Sequence, residues 1–166
     1  VVLPNNKNII PVAQQLNAQT SRTVSVVPTR NIAEGLASLM AYDPQASAEA
    51  NASTMAASAE RVVAGEVTQA VRDSNSDAGP IAIGDWLGIA RAGIAAVRPT
   101  MAAAATDLLT EMLDDDHELL TVIAGEGADD DTTAEIVAWL EENHPDIEFE
   151  VHAGGQPLYP YYFGLE

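Results

Sequence analysis

A chain of 166 residues and 17.4 kDa has the length of one domain, or at most of two small lobes sharing a core. Seven Lys and Arg stand against 25 Asp and Glu, a formal net charge of −18, so long-range repulsion opposes nucleic acids and anionic membrane surfaces as partners. An apolar content of 47% excludes disorder by composition. No apolar run reaches the roughly 20 residues of a membrane span. The absence of cysteine removes disulfides, thiolate metal sites and cysteine nucleophiles together and suits a reducing, cytoplasmic setting.

The chain opens on an apolar run, Val1-Val2-Leu3, with no charged segment before it and no small-residue cleavage site after it. This reads as a strand already inside a fold, as in a domain of a longer protein, and not as a signal peptide. Pro4-Asn5-Asn6-Lys7 follows, then a helical pattern from Asn8 to about Ala18. The same unit recurs: Thr23–Val27 is β-branched and apolar, Pro28-Thr29-Arg30 turns the chain, and a helix is expected from Asn31 to about Ala41. Asn8 and Asn31 are placed as N-caps, Asn31 with Glu34 at capping-box spacing. Ile32, Leu36, Leu39 and Met40 form the stripe expected to be buried. Apolar strands alternating with amphipathic helices imply a parallel sheet covered by helices.

Ser47–Ala64 is alanine-rich and helical, with Gly65 in the position of a C-terminal cap. The period then changes to two over Glu66–Arg72, and Ile81–Ala90 and Gly93–Val97 read as further strands, predicting a β-meander. Pro99–Leu113 returns to helix and Leu119–Ala124 is a buried strand. Thr132 and Glu135 suggest a second capping box for a helix that carries Ile136, Val137 and Leu140 inward and stops at Pro145. Ile147–His152 and Leu158–Leu165 read as a C-terminal hairpin. The fold class is therefore α/β: a mostly parallel sheet flanked by helices, with a meander insert and a terminal hairpin. The chain is read as one domain, 1–166, with a division into lobes 1–75 and 76–166 left open.

Two segments are candidate sites. Turns that follow neighbouring parallel strands gather at the carboxyl edge of a sheet, where helix N-termini offer amide donors. Asn5, Asn6, Lys7, Asn8, Thr29, Arg30 and Asn31 would line a crevice there, or serve only as caps and turn residues. The second segment, His152–Tyr162, holds three of the four tyrosines beside a paired glycine, a composition favoured at contact surfaces. His152, Gln156 and Tyr159 are its candidates, with an ordinary hairpin turn as the alternative.

Other patterns fail. Gly125-Glu126-Gly127 lacks the third glycine of a dinucleotide turn and sits beside acids that would repel a pyrophosphate. The acidic runs Asp114–Asp116 and Asp129–Asp131 lack calcium-loop spacing and suit solvated helix ends. His117, His144 and His152 stand singly, which argues against zinc. A single lysine, Lys7, and no phosphate loop argue against a self-sufficient ATP site. No catalytic residue and no metal ligand is assigned.

The segments LPNNKNIIPVAQQ (3–15), VVPTRNIAEGLASLMAYDP (26–44), GEVTQAVRDS (65–74) and VHAGGQPLYPYYFGLE (151–166) resemble, in this order, the C-terminal domain of the fatty-acid kinase A subunit family, a dihydroxyacetone-kinase-like or "DAK phosphatase-like" group. The resemblance implies a parent protein whose N-terminal domain holds ATP and magnesium, so this domain needs no cofactor of its own. It implies a DegV-like fatty-acid-binding partner, whose acyl carboxylate receives the phosphoryl group, and contact with the parent's own kinase domain. Asn5–Asn8, Thr29–Asn31, His152, Gln156 and Tyr159 are then expected to be partner-binding and the domain itself non-catalytic. The alternatives are a dihydroxyacetone-kinase-like or phosphatase-like enzyme at the carboxyl edge of the sheet, or a small-ligand pocket. A homodimer is compatible with either.

Overall fold

A computed structural model describes residues 1–166. In chain order the elements are α1 (Ile10–Gln14), α2 (Leu16–Gln19), α3 (Ile32–Met40), α4 (Ala48–Arg61), β1 (Val63–Gln69), β2 (Ser74–Ser76), β3 (Gly79–Ile81), β4 (Trp86–Ala90), β5 (Gly93–Arg98), α5 (Met101–Met112), β6 (Leu119–Ala124), α6 (Asp130–Asn143), β7 (Glu148–Ala153) and β8 (Tyr161–Leu165). The chain is α/β and divides into two compact units, Val1–Val62 and Val63–Glu166. The division falls where α4 hands over to β1, and β1 belongs by its strand pairing to the second unit.

In the first unit the two apolar segments do lie side by side and parallel, but through a single bridge, Val2 with Val26. Val2 N–H donates to Ser25 O at 2.9 Å and Val27 N–H to Val2 O at 3.0 Å. They do not enter a sheet as expected, because Pro4 and Pro28 follow at once and have no N–H with which to extend a ladder. The first helix is also shorter than its pattern. It starts at Ile10 with Ile9 as N-cap and Pro11 in its first turn, and it yields to the separate turn α2. Asn8 caps nothing; its N–H donates to Asn6 Oδ1 at 2.9 Å.

Helix α3 reverses the expected stripe. Its buried residues are Ala33, Glu34, Gly35, Ala37 and Ser38, while Leu36, Leu39 and Met40 are exposed. The cause is the way it meets α4. Small side chains allow the two backbones to come close enough for Ser38 Oγ to donate to Met55 O at 3.0 Å and Ser58 Oγ to Ala37 O at 2.9 Å. A larger residue at those positions would hold the helices apart, so the largest side chains take the outer face. Ser47 caps α4 by accepting from Ala50 N–H at 3.1 Å. The helix ends at Arg61, so Gly65 is not its cap but an interior residue of β1.

The second unit is built on a six-stranded sheet in the order β5-β4-β1-β8-β6-β7, with β2 and β3 forming a separate small ribbon. Only β6 and β7 pair in parallel; every other pair is antiparallel, so the sheet is mixed and mostly antiparallel, not mostly parallel. The meander appears as β1-β4-β5. The expected C-terminal hairpin does not form, because β6 lies between β7 and β8. All five residues of β8 are buried, whereas β7, at the edge, is largely exposed. A strand apolar on both faces gains most in the middle of a sheet, which outweighs pairing with its chain neighbour.

Helices α5 and α6 cover one face. Leu108, Leu109 and Met112 of α5 and Ile136 and Leu140 of α6 pack with Val67, Leu120, Val122, Tyr161, Phe163 and Leu165 of the sheet. A smaller cluster, Ala70, Ile81 and Leu87 with Ile89, Ile94 and Val97, forms by the meander. The N-cap of α6 is Asp129, not Thr132: its carboxylate accepts from Thr132 N–H at 2.7 Å and Thr132 Oγ1 at 2.8 Å. No helix is long and apolar enough to cross a membrane.

Candidate functional site

The two proline turns of the first unit meet as their sequence suggested. Asn5 N–H donates to Thr29 Oγ1 at 3.0 Å, and Thr29 Oγ1 donates back to Asn5 Oδ1 at 2.7 Å. Thr29 is fully buried, and Asn5 adopts φ 51°, a left-handed conformation that asparagine tolerates better than most residues. The Asn5 amide lies over Gly35, where an added Cβ would run into it. Asn5 and Thr29 thus act as a clasp that holds one turn on the first half of α3.

Asn31 is the N-cap of α3, its Oδ1 accepting from Glu34 N–H at 2.9 Å. The capping box is displaced by one residue: the Glu34 carboxylate accepts from Arg30 N–H at 2.6 Å, with the Arg30 guanidinium at 3.8 Å. Glu34 is buried and Arg30 half-exposed, so the positive end of the helix dipole is already met by an internal carboxylate. That spends the anion-binding capacity the sequence suggested for this turn. Asn6, Lys7 and Asn8 are exposed and make up the outer rim of the clasp.

The remaining three candidates belong to the second unit. His152 is exposed on edge strand β7, its Nε2 3.0 Å from Glu150 Oε2. Gln156 instead points inward. Its Nε2 donates to Ile123 O and Tyr159 O, each at 3.1 Å, while its backbone carbonyl accepts from Glu126 N–H at 3.0 Å. It staples the 154–160 loop to the end of β6. Gly125 permits this, since a Cβ there would stand 2.5 Å from Gln156 O and 2.7 Å from Tyr159 O. Tyr159 stacks on Tyr162 with ring centres 5.2 Å apart, and Thr68 Oγ1 donates to Leu158 O at 2.9 Å.

Burial, then the nearby Glu66 carboxylate, pushes the Tyr159 and Tyr162 phenols above their ordinary value. Tyr161 is likewise raised, first by burial, against a hydroxyl contact with Thr133 Oγ1 at 2.7 Å that favours ionisation. Raised in this way, the three phenols stay protonated at neutral pH. At the start of α6, the Thr132 hydrogen bonds hold the Asp129 carboxyl below the usual range.

Two features escaped the sequence reading. A cleft of about 760 Å³ opens at the amino ends of β6 and β7 and brings together His117 and His144 with Asp114, Asp115, Glu118 and Glu148. His117 Nδ1 lies 2.9 Å from Asp114 Oδ1, and no group of three or more His, Asp or Glu is arranged to hold a metal ion. Their separation in sequence hid that the two histidines line one cleft. The second is the outward apolar row on α3, Leu36, Leu39 and Met40. The parallel stripe of small residues, Ala33, Ala37 and Ser38, is the signal from which it was readable.

Charge is divided as sharply. The first unit has four basic and four acidic residues, so the second, with three arginines against 21 carboxylates, carries the whole −18.

The chain matches, over residues 1–166, the FakA-like C-terminal family model, which describes the C-terminal part of fatty acid kinase A-like subunits. It is 42% identical over all 166 residues to the uncharacterized protein SH1689 of Staphylococcus haemolyticus (strain JCSC1435), and 40% identical to the uncharacterized protein SAR1202 of Staphylococcus aureus (strain MRSA252). In both cases the alignment takes in 100% of the chain and 30% of the relative. With its whole length matched by that model, the chain belongs to the FakA-like family of fatty acid kinase C-terminal domains.

Proposed function

We propose that this chain is the docking module of a two-component fatty-acid kinase. It holds a DegV-like, fatty-acid-loaded protein so that an ATP- and magnesium-binding domain elsewhere in the parent protein phosphorylates the acyl carboxylate. The observation that carries the reading is membership of the FakA-like C-terminal family by a chain that spans 30% of its relatives. The physical logic is proximity: fixing the acyl carrier beside a tethered kinase domain turns a bimolecular encounter into an effectively intramolecular one. The clasped turns suit the role, because Asn5 and Thr29 hold Asn6, Lys7 and Asn8 in place before any partner arrives, and preorganisation lowers the ordering cost of binding.

In this role the chain supplies a surface and the parent's ATP-binding domain supplies the chemistry. The positive end of α3 is met by the Glu34 carboxylate, and the Gln156 side-chain amide donates both to Ile123 O and to Tyr159 O in stapling a loop. Calorimetric titration of the chain with an acyl-loaded DegV-like protein tests the reading. Saturable one-to-one binding is expected, with no change in melting temperature on adding ATP and magnesium alone. Binding by the parent protein but none by this chain at high micromolar concentration would overturn it.

A further inference from the structure

We infer that the contact with the partner is centred on the outward apolar row of α3, Leu36, Leu39 and Met40, with the polar turn Asn6–Asn8 as its rim. The inference rests on the docking reading above and gives it a location. Leu36, Leu39 and Met40 are 45%, 55% and 86% exposed and, with Ile32, fall at i, i+4, i+7 and i+8 on one helix face. Tyr42, 49% exposed, follows just beyond the end of the helix, and large apolar side chains left open together in this way mark interaction surfaces. The row is uncharged, since the one ionisable side chain of α3, Glu34, is buried on the opposite face. The Asn5 clasp over Gly35 fixes the polar turn to this same helix.

Charge decides the occupant. A second copy would bring another −18 to the encounter, which disfavours self-association. A protein with an uncharged apolar patch ringed by Lys and Arg meets neither obstacle. The neutral first unit accepts its patch without repulsion, and the acidic chain attracts its basic ring from a distance. The DegV-like acyl carrier is therefore required to dock through a face of that kind.

The test is calorimetry of the 166-residue chain against a purified, acyl-loaded DegV-like protein, at rising salt, with far-UV circular dichroism as the check on folding. The double variant Leu39→Ser/Met40→Gln should weaken binding at least about tenfold, as loss of a central anchor does. Met40→Gln alone should fall in between. Val71→Ser, which alters an 84%-exposed residue of the second unit, should stay within about twofold of the original. Affinity should fall as salt rises. If the original chain binds and the folded double variant binds within twofold of it, the location is wrong although the docking reading stands. If the double variant abolishes a self-association seen by sedimentation and leaves partner affinity unchanged, a second copy covers the row and the inference fails. Affinity that grows with salt refutes the basic ring. If the original chain does not bind at all, the docking reading itself falls.

Discussion

Two substitutions on α3, one polar on its outer face and one enlarging its inner face, separate its observed orientation from the one its apolar pattern suggested. Met40 is 86% exposed, so Met40→Gln removes little buried area. At roughly 25 cal/mol/Å², the small covered remainder of the side chain is worth under about 1 kcal/mol. Ala37 is 6% exposed in the seam with α4, and its carbonyl accepts the Ser58 hydroxyl at 2.9 Å. Ala37→Leu inserts three carbons where the two helices are close, which should cost about 1–3 kcal/mol by overpacking and by stretching that hydrogen bond. Urea unfolding followed by circular dichroism measures both. Both tryptophans, Trp86 and Trp139, belong to the second unit, so fluorescence recorded beside the dichroism reports that unit alone. If α3 instead buried its large residues, Met40→Gln would cost about 2 kcal/mol or more and Ala37→Leu would be nearly neutral. That result would refute the packing described here.

Other outcomes follow from the same contacts. Thr29→Val keeps the shape but removes both hydrogen bonds that Asn5 makes with the Thr29 hydroxyl; it should cost about 1–3 kcal/mol and speed exchange of the Val2 and Val27 amides, whereas Thr29→Ser should do neither. Gln156→Ala frees the carbonyls of Ile123 and Tyr159 and should lower stability by about 1–2 kcal/mol in the tryptophan-detected transition. The depressed Asp129 carboxyl contributes stability that is complete above its unfolded value of 3.8 and lost as pH falls through the lower folded value; Asp129→Ala should flatten the acid limb of a stability–pH curve there. With their phenols raised in the folded state, Tyr159, Tyr161 and Tyr162 bind protons more tightly folded than unfolded. Stability should therefore decline from about pH 10 upward, which ultraviolet titration of tyrosinate with parallel unfolding would register.

What the sequence could and could not convey follows from which forces act locally. Strand β6 and helices α5 and α6 were legible because β6 is an apolar run interrupted only by Thr121, exposed on neither face, and each helix carries apolar residues at 3–4 spacing, with Pro145 as a firm stop after α6. Helix α3 was not, because it carries two periodic stripes, one of small residues and one of large. Hydrophobicity favours burying the large one, while helix–helix distance favours the small. The order of the sheet was hidden for a similar reason. Adjacency suggested a β7–β8 hairpin, but the two-sided burial of Tyr161–Leu165 draws that strand between β1 and β6. At the candidate site, the meeting of the two proline turns was foreseeable from their repetition. The Asn5–Thr29 clasp, the shift of the Glu34 carboxylate to the Arg30 amide and the inward turn of Gln156 depend on atomic placement that residue types do not encode.

Competition in a reconstituted kinase tests the central claim most directly. An excess of this chain, added to its full-length parent, an acyl-loaded DegV-like protein, ATP and magnesium, should sequester the acyl carrier and lower acyl-phosphate formation in proportion to the chain added. The Leu39→Ser/Met40→Gln variant should have little effect at the same concentration. Undiminished acyl-phosphate formation at saturating excess of the original chain, or phosphoryl transfer by the chain without its parent, would contradict the account.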